Sequence, residues 1–234
     1  MTGLQPDGAE TPRVDRRVRL VTAASQLFSE RAYDEVTTTE IARRAGVAYG
    51  LIAHHFTNKR GLYLATIRAA GEALRTLQET PPEGETPAER LRDAINRHIT
   101  YMDRHAAGFL TLIRGGNGSD PEVRAIIEDL RWQGALRVLD ALGAEHPVHP
   151  VLRASMRGWV GYLDELIVDH IQHHDVPQEH LVRLATSALT ATLRTACSTT
   201  PDAGIAAATV DRLEDASAGT PGPRTKRQAR KGTP

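Results

Sequence analysis

The residues of this chain best suited to polar chemistry crowd into one stretch, Thr38 to Lys59. Thr38 and Thr39 bring hydroxyls, Tyr49 a phenol, His54 and His55 imidazoles, and Lys59 an ammonium. Ala48 and Gly50 flank Tyr49 with almost no side chain, and Leu51 follows. These are donors and acceptors of the kind that bond phosphate oxygens and base edges. A threonine at a helix start can cap the helix and can also offer its backbone N–H to a phosphate. Tyr49 has no core to fill if it stands at an exposed helix end. There it can pack on a thymine methyl or bond a base edge, so it is the expected reader of sequence. His54 and His55 are open between contacting DNA and packing against the preceding helix.

Two other groups invite chemistry. His170 and His174 lie one helical turn apart with Asp169 adjacent, which suits a metal site or simply a solvated helix end. Cys197 is the single cysteine, either a redox switch or an inert thiol. No nucleophile elbow, phosphate loop or paired metal motif is present, so neither an enzyme nor a resident metal or cofactor is expected.

The elements that must hold the first set are legible in the apolar spacing. Thr38 to Arg44, with Ile41, Ala42 and Ala45, reads as a short amphipathic helix. Gly46 then permits a sharp turn. Tyr49 to Phe56 reads as a second short helix, with Ile52 and Phe56 inward and Tyr49, Gly50, Ala53 and His54 outward. A short helix propped by one that crosses it fits a major groove. An earlier helix over Asp15 to Arg31 should pack Leu20, Ala24, Leu27 and Phe28 over both.

This segment resembles the DNA-binding domain of the tetracycline-repressor-like (TetR) family. The resemblance runs from about Leu20 to Thr66 and rests on Ala24, Leu27, Phe28, Tyr33, Thr37-Thr38, Ile41-Ala42, Ala45-Gly46-Val47, Gly50, His54, Phe56, Asn58-Lys59 and Leu62-Tyr63. It implies an all-α protein: a three-helix helix-turn-helix head that binds double-stranded DNA, and a helical body that binds a small molecule and forms a homodimer. It also implies phosphate contacts at Thr38 and Lys59, where the alternatives are capping alone and a solvated lysine. Ala53 and His55 replace the family's usual aromatics, and Leu51 a common Ser or Thr. Those changes remove hydroxyl-to-phosphate bonds, one of which His55 could restore.

Net charge is zero, but it is unevenly divided. Residues 13–62 hold nine Arg/Lys against five acids, whereas residues 63–223 hold 15 against 22. A basic head before an acidic body suits a polyanionic partner. The amino terminus lacks the apolar run of a secretory signal, and no stretch reaches a membrane-spanning length. With a lone cysteine, this favours the cytoplasm and no membrane partner.

The expected divisions are a disordered arm (1–14), the head (15–62), the body (63–200) and a flexible basic tail (201–234), with a weak helix over Ala203 to Ala216. The tail, which carries the basic run RTKRQARK near its end, would aid solubility or touch phosphates. In the body a long linking helix to Gln78 should turn Leu62, Ile67, Ala70, Leu74 and Leu77 inward. The last two long helices, Val151 to His173 and Gln178 to Cys197, carry broad apolar stripes, the second including Leu184. By resemblance this pair forms a four-helix dimer interface; otherwise the stripes close the subunit core. Candidate effector contacts are His98, Tyr101, Met102, His105, Phe109, Trp132, Trp159 and Tyr162, with ordinary core the alternative. The expected function is a transcriptional repressor released from a palindromic operator by a small molecule. A ligand-independent regulator and a metal-responsive repressor are the alternatives.

Overall fold

A computed structural model describes residues 11–114 and 120–213, with the side chains of 11–14 and 111–119 excluded. The described residues are helical and contain no strand. In order they form α1 (Thr11–Glu30), a single 3-10 turn (Tyr33–Glu35), α2 (Thr38–Ala45), α3 (Gly50–Phe56), α4 (Lys59–Glu79), α5 (Pro87–Arg104), α6 (Ala106–Arg114), α7 (Pro121–Ala141), α8 (Pro150–His173), α9 (Gln178–Thr199) and α10 (Ala207–Asp211). None of these helices is long and apolar enough to cross a membrane.

Local chemistry explains where the helices begin. Thr86 and Glu89 form a reciprocal capping box at the start of α5, with Pro87 just inside. Asp120 caps α7, its carboxylate accepting from the N–H groups of Glu122 (2.9 Å) and Val123 (3.4 Å), again with a proline behind it. α1 starts at Thr11, so residues 11–14, expected within a disordered arm, are helical; residues 1–10 lie outside the described set.

Two apolar cores result. The head core joins α1, α2, α3 and the first half of α4 through Leu20, Leu27, Ile41, Ile52, Phe56, Leu62 and Ile67. Val123 of α7 is buried in the same cluster, so the body reaches into the head. The body core joins α5 to α10 around Ile99, Leu139, Leu152, Met156, Ile167, Leu189 and Leu193. Burying each such Leu or Ile stabilises by about 1.5–3 kcal/mol.

Three expectations about burial need correction. In α4, Ala70 is exposed and Gly71 is the buried residue, because the helix meets α7 at Leu130 there. In α9 the stripe closes the subunit's own core, but Leu184 faces outward, 46% exposed. Residues 201–213, expected to open a flexible tail, instead fold back. Ala203, Ile205, Val210 and Leu213 are buried in the body core, and Glu145 N–H donates to the Gly204 carbonyl at 2.8 Å. The basic run RTKRQARK of the tail lies outside the described residues.

Candidate nucleic-acid interface

The helix-turn-helix is held by three devices. The first is a cap. Thr37, not Thr38, is the N-cap of α2, and its hydroxyl accepts from the Glu40 N–H at 3.2 Å. The capping role expected of Thr38 is thus taken by its neighbour. Thr38 instead lies in the first turn with its hydroxyl 3.4 Å from the Tyr49 hydroxyl. The second device is the turn. Gly46 takes φ 62°, ψ 42°, the left-handed region that glycine enters without strain, and its carbonyl accepts from Arg19 of α1 at 3.1 Å.

The third device escaped the sequence reading. Gly61 sits in the first turn of α4, where a Cβ would stand 2.1 Å from the Phe56 carbonyl oxygen. The end of α3 can approach α4 only because this side chain is missing. The Asn58 side chain caps the same turn, accepting from the Gly61 N–H at 2.9 Å. Between the two helices Thr57 holds φ 70°, ψ −48°, a strained backbone for a β-branched residue. A glycine at the third position of a capped helix was the available signal.

With α3 locked by buried Ile52 and Phe56, its other face is set. Ala48, Tyr49, Gly50, Ala53 and His54 are all exposed, Tyr49 at 60%. A Cβ at Gly50 would meet nothing within 4 Å, so a side chain there would project straight outward. Thr39 is exposed on α2. Leu51 is half-buried against the head core. His54 and His55 meet edge to face at 4.9 Å, but they differ in exposure. His54 is exposed, whereas His55 is half-buried with its Nε2 shielded from solvent, which takes that nitrogen away from a phosphate-facing surface. Lys59 opens α4 with its Nζ 4.2 Å from the centre of the Tyr33 ring. It is therefore no free-swinging surface lysine: the ring quadrupole fixes its ammonium beside the motif.

The basic character of the head is partly committed elsewhere. Arg31 pairs with Glu40 and Arg44 with Glu30. Arg60 grips Asp120 through two hydrogen bonds (2.7 and 2.9 Å) and also reaches Glu122 (2.9 Å), which Arg68 shares. The Arg60 guanidinium holds the Asp120 carboxyl down to about 2. Arg60 thus ties α4 to the start of α7 rather than adding to an outward field. Arg17 stands 5.3 Å over the Phe56 ring.

These features match known proteins. Residues 20–66 match the family of bacterial regulatory proteins described as the tetR family, and residues 87–192 match its tetracyclin repressor-like C-terminal domain. The chain belongs to the TetR family. As a member of that family it is a helix-turn-helix, DNA-binding transcriptional regulator. Over 129 residues it is 30% identical to the HTH-type transcriptional activator FasR of Mycolicibacterium smegmatis. That match takes in 52% of this chain and only 56% of FasR. Among solved structures, a TetR-family regulator from Streptomyces coelicolor superposes with a TM-score of 0.73 at 26% identity, over 90% of this chain and 92% of the other. FadR of Bacillus subtilis, solved in complex with stearoyl-CoA, shares the fold (TM-score 0.57, 22% identity, 75% of this chain and 96% of the other).

In the body of this TetR-family chain the eight candidate effector residues do not form one wall. Phe109 and Trp159 are buried in the core, with Met102 and Trp132 packed against it. Trp159 donates its indole N–H to the Ala185 carbonyl at 2.9 Å, so its polar end is already engaged by α9. His98 and Tyr101 are half-buried; desolvation pushes the His98 imidazole down to about 4 and raises the Tyr101 phenol. His105 is exposed and stacks on Tyr101 at 4.2 Å, and Tyr162 is 40% exposed on the outer face of α8. Of the eight, Trp132 lines a cleft of about 150 Å³ between α7 and α8, beside Glu128, Arg131, Arg157 and Val160. Asp164, which the sequence reading passed over, is buried between these helices and accepts from Arg131 at 2.8 Å. Burial nevertheless raises its carboxyl above the usual range. An acid on the apolar stripe of α8 was the signal for it.

Proposed function

We propose that the chain is a homodimeric repressor that occupies a palindromic operator in double-stranded DNA and leaves it when a small molecule binds the body. The outer face of α3 and the residues that lead into it carry this reading: Ala48 and the N-cap Tyr49, then Gly50 and His54 of the helix, stand exposed, and the inner face of the helix is fixed. Thr38, Thr39 and Lys59 border it as phosphate contacts, and Tyr49 reads the bases. Leu51 and His55 support the helix from behind. One such helix covers too few base pairs to be selective, and two on a symmetric site overcome that.

The second copy belongs on α8 and α9, on the faces turned away from the core. α8 exposes Ala154, Gly158, Gly161 and Tyr162, and α9 exposes Leu184, Ser187 and Ala191. Small residues allow close helix approach, and Tyr162 and Leu184 are large apolar groups without a place in the core. The regulator works in the cytoplasm, where its DNA target is held.

The effector reading draws support from FadR, which shares this fold and was solved with stearoyl-CoA. We assign the effector to the inner side of α5, α6 and α7, near His98, Met102, Phe109 and Trp132. The Arg60–Asp120–Glu122 grip would carry a displacement of α7 to α4 and so to α3. The effector must favour one arrangement of that joint over the other to move the head. The name of FasR favours a second reading, in which the bound regulator activates.

Selection of bound sites from a random duplex library tests the core of the proposal. An enriched inverted repeat is expected; the absence of any enriched repeat would overturn it. Placing that repeat in a reporter promoter separates repression from activation.

A further inference from the structure

We propose that Asp103, His170 and His174 form a binding site for one divalent transition-metal ion of the zinc class. His170 and His174 come from the last turn of α8 and its C-cap, and Asp103 from the last turn of α5. One ligand atom from each of the three lies within 4.8 Å of the other two. The two imidazole rings meet almost perpendicularly, their centres 5.1 Å apart. Two imidazole nitrogens and a carboxylate oxygen are a donor set that zinc takes in three-ligand sites, leaving the fourth position to water or an outside ligand. Bonds of about 2 Å to a tetrahedral ion put ligand atoms a little over 3 Å apart, so small side-chain rotations close the site.

Two further observations single this trio out. The Nδ1 of His170 is buried and has no hydrogen-bond partner. A buried polar atom left in that state is costly, and an ion would satisfy it. His174 holds φ 51°, one of two non-glycine residues with positive φ among the described residues. It does so at the end of α8, where its ring meets that of His170. The acid next to His170 in sequence does not join the trio. Asp169 instead faces His173, its Oδ1 3.3 Å from Nδ1. The carboxylate comes from a residue 67 positions upstream of His170, which the histidine spacing alone could not reveal. The site revises the expectation that no metal is held.

An ion here would tie α5 to α8 at a consequential corner. Only His105 separates α5 from α6, and α6 packs on α1 of the head.

The test uses the full-length protein, stripped with a chelator and dialysed, and needs no DNA, so its outcome stands apart from that of operator selection. Zn²⁺ is titrated in competition with a chromophoric chelator, and Co²⁺ serves as a coloured replacement. One tight equivalent per chain is expected, with the Co²⁺ absorption of a low-symmetry, histidine-ligated site. Asp103→Asn and His174→Ala should each weaken binding by at least about tenfold. His173→Ala, which removes the neighbouring imidazole, should leave it unchanged. Asp103 and His174 both reach solvent, and circular dichroism checks that the variants are folded. The proposal is overturned if the double variant Asp103→Asn/His174→Ala binds zinc as tightly as the unaltered chain. It is equally overturned if His173→Ala costs as much as His174→Ala.

Discussion

The head and the body place their polar groups in opposite ways. In the head, Tyr49, His54 and Thr39 stand exposed on two short helices or at their caps, and the residues beneath them are apolar. In the body, several polar groups are turned inward and bonded there. Asp164 accepts from Arg131, the Trp159 indole donates to α9, and the hydroxyls of Thr186 and Thr190 donate to the carbonyls of Val182 and Thr186. The head therefore meets its partner with a finished surface. Where the inward polar groups of the body are already bonded, a ligand must rearrange those contacts to engage them.

Substitutions can break that contrast, beginning with the largest effect. Trp159→Ala should lower stability by about 3–5 kcal/mol in denaturant unfolding, the cost of emptying an aromatic core site. A near-neutral result would mean that Trp159 lines an open effector cavity instead.

Acid should act next, through His98. Its folded value of about 4 lies below the ordinary 6.5, so between those values the unfolded chain holds a proton that the folded chain rejects. The native state therefore keeps its full advantage above pH 6.5 and loses up to about 3 kcal/mol as pH falls to 4. His98→Gln should flatten unfolding free energy against pH across that window. An unchanged slope would place the acid sensitivity in other groups.

Changes on the head surface should alter binding and spare stability. Tyr49→Ala should cost about 1–3 kcal/mol of discrimination between matched and mismatched operators, with an unchanged melting temperature. An equal loss on every sequence would remove Tyr49 from base reading. The smallest effect belongs to Lys59→Ala. It should weaken binding evenly across sequences and reduce the salt slope by about one unit. A changed sequence preference in that variant would blur the division between reading and phosphate contact.

Much of the head was legible because its signals are local. The apolar spacing of Ile41, Ala42 and Ala45, the glycine at 46 and the pair Ile52 and Phe56 placed both short helices within a residue of their observed ends. The cap was misplaced by one residue because three threonines stand in a row, and only the backbone selects Thr37. Spacing places His54 on the outward face but leaves both His54 and His55 open between contacting DNA and packing. Packing against the head core decided that one is exposed and the other half-buried.

The body was less legible because its assignments depend on which helix lies opposite. The stripe of α9 included Leu184 on spacing alone, yet the position of α8 leaves that residue outside. Ala203, Ile205, Val210 and Leu213 sit in a Gly-, Ala- and Thr-rich stretch with weak helical periodicity. They are ordered by the apolar surface that α9 and the core offer them.

The helical class, the helix-turn-helix and the face of α3 turned outward are therefore written in local residue patterns, since these follow from spacing within one or two turns. The grip of Arg60 on Asp120 and Glu122, the burial of Asp164 against Arg131 and the meeting of Asp103 with His170 and His174 emerge only once the helices are packed. Each joins residues more than 30 positions apart. Such contacts are set by how helices cross, and helix crossings depend on the packing of whole faces rather than on the spacing within any one of them.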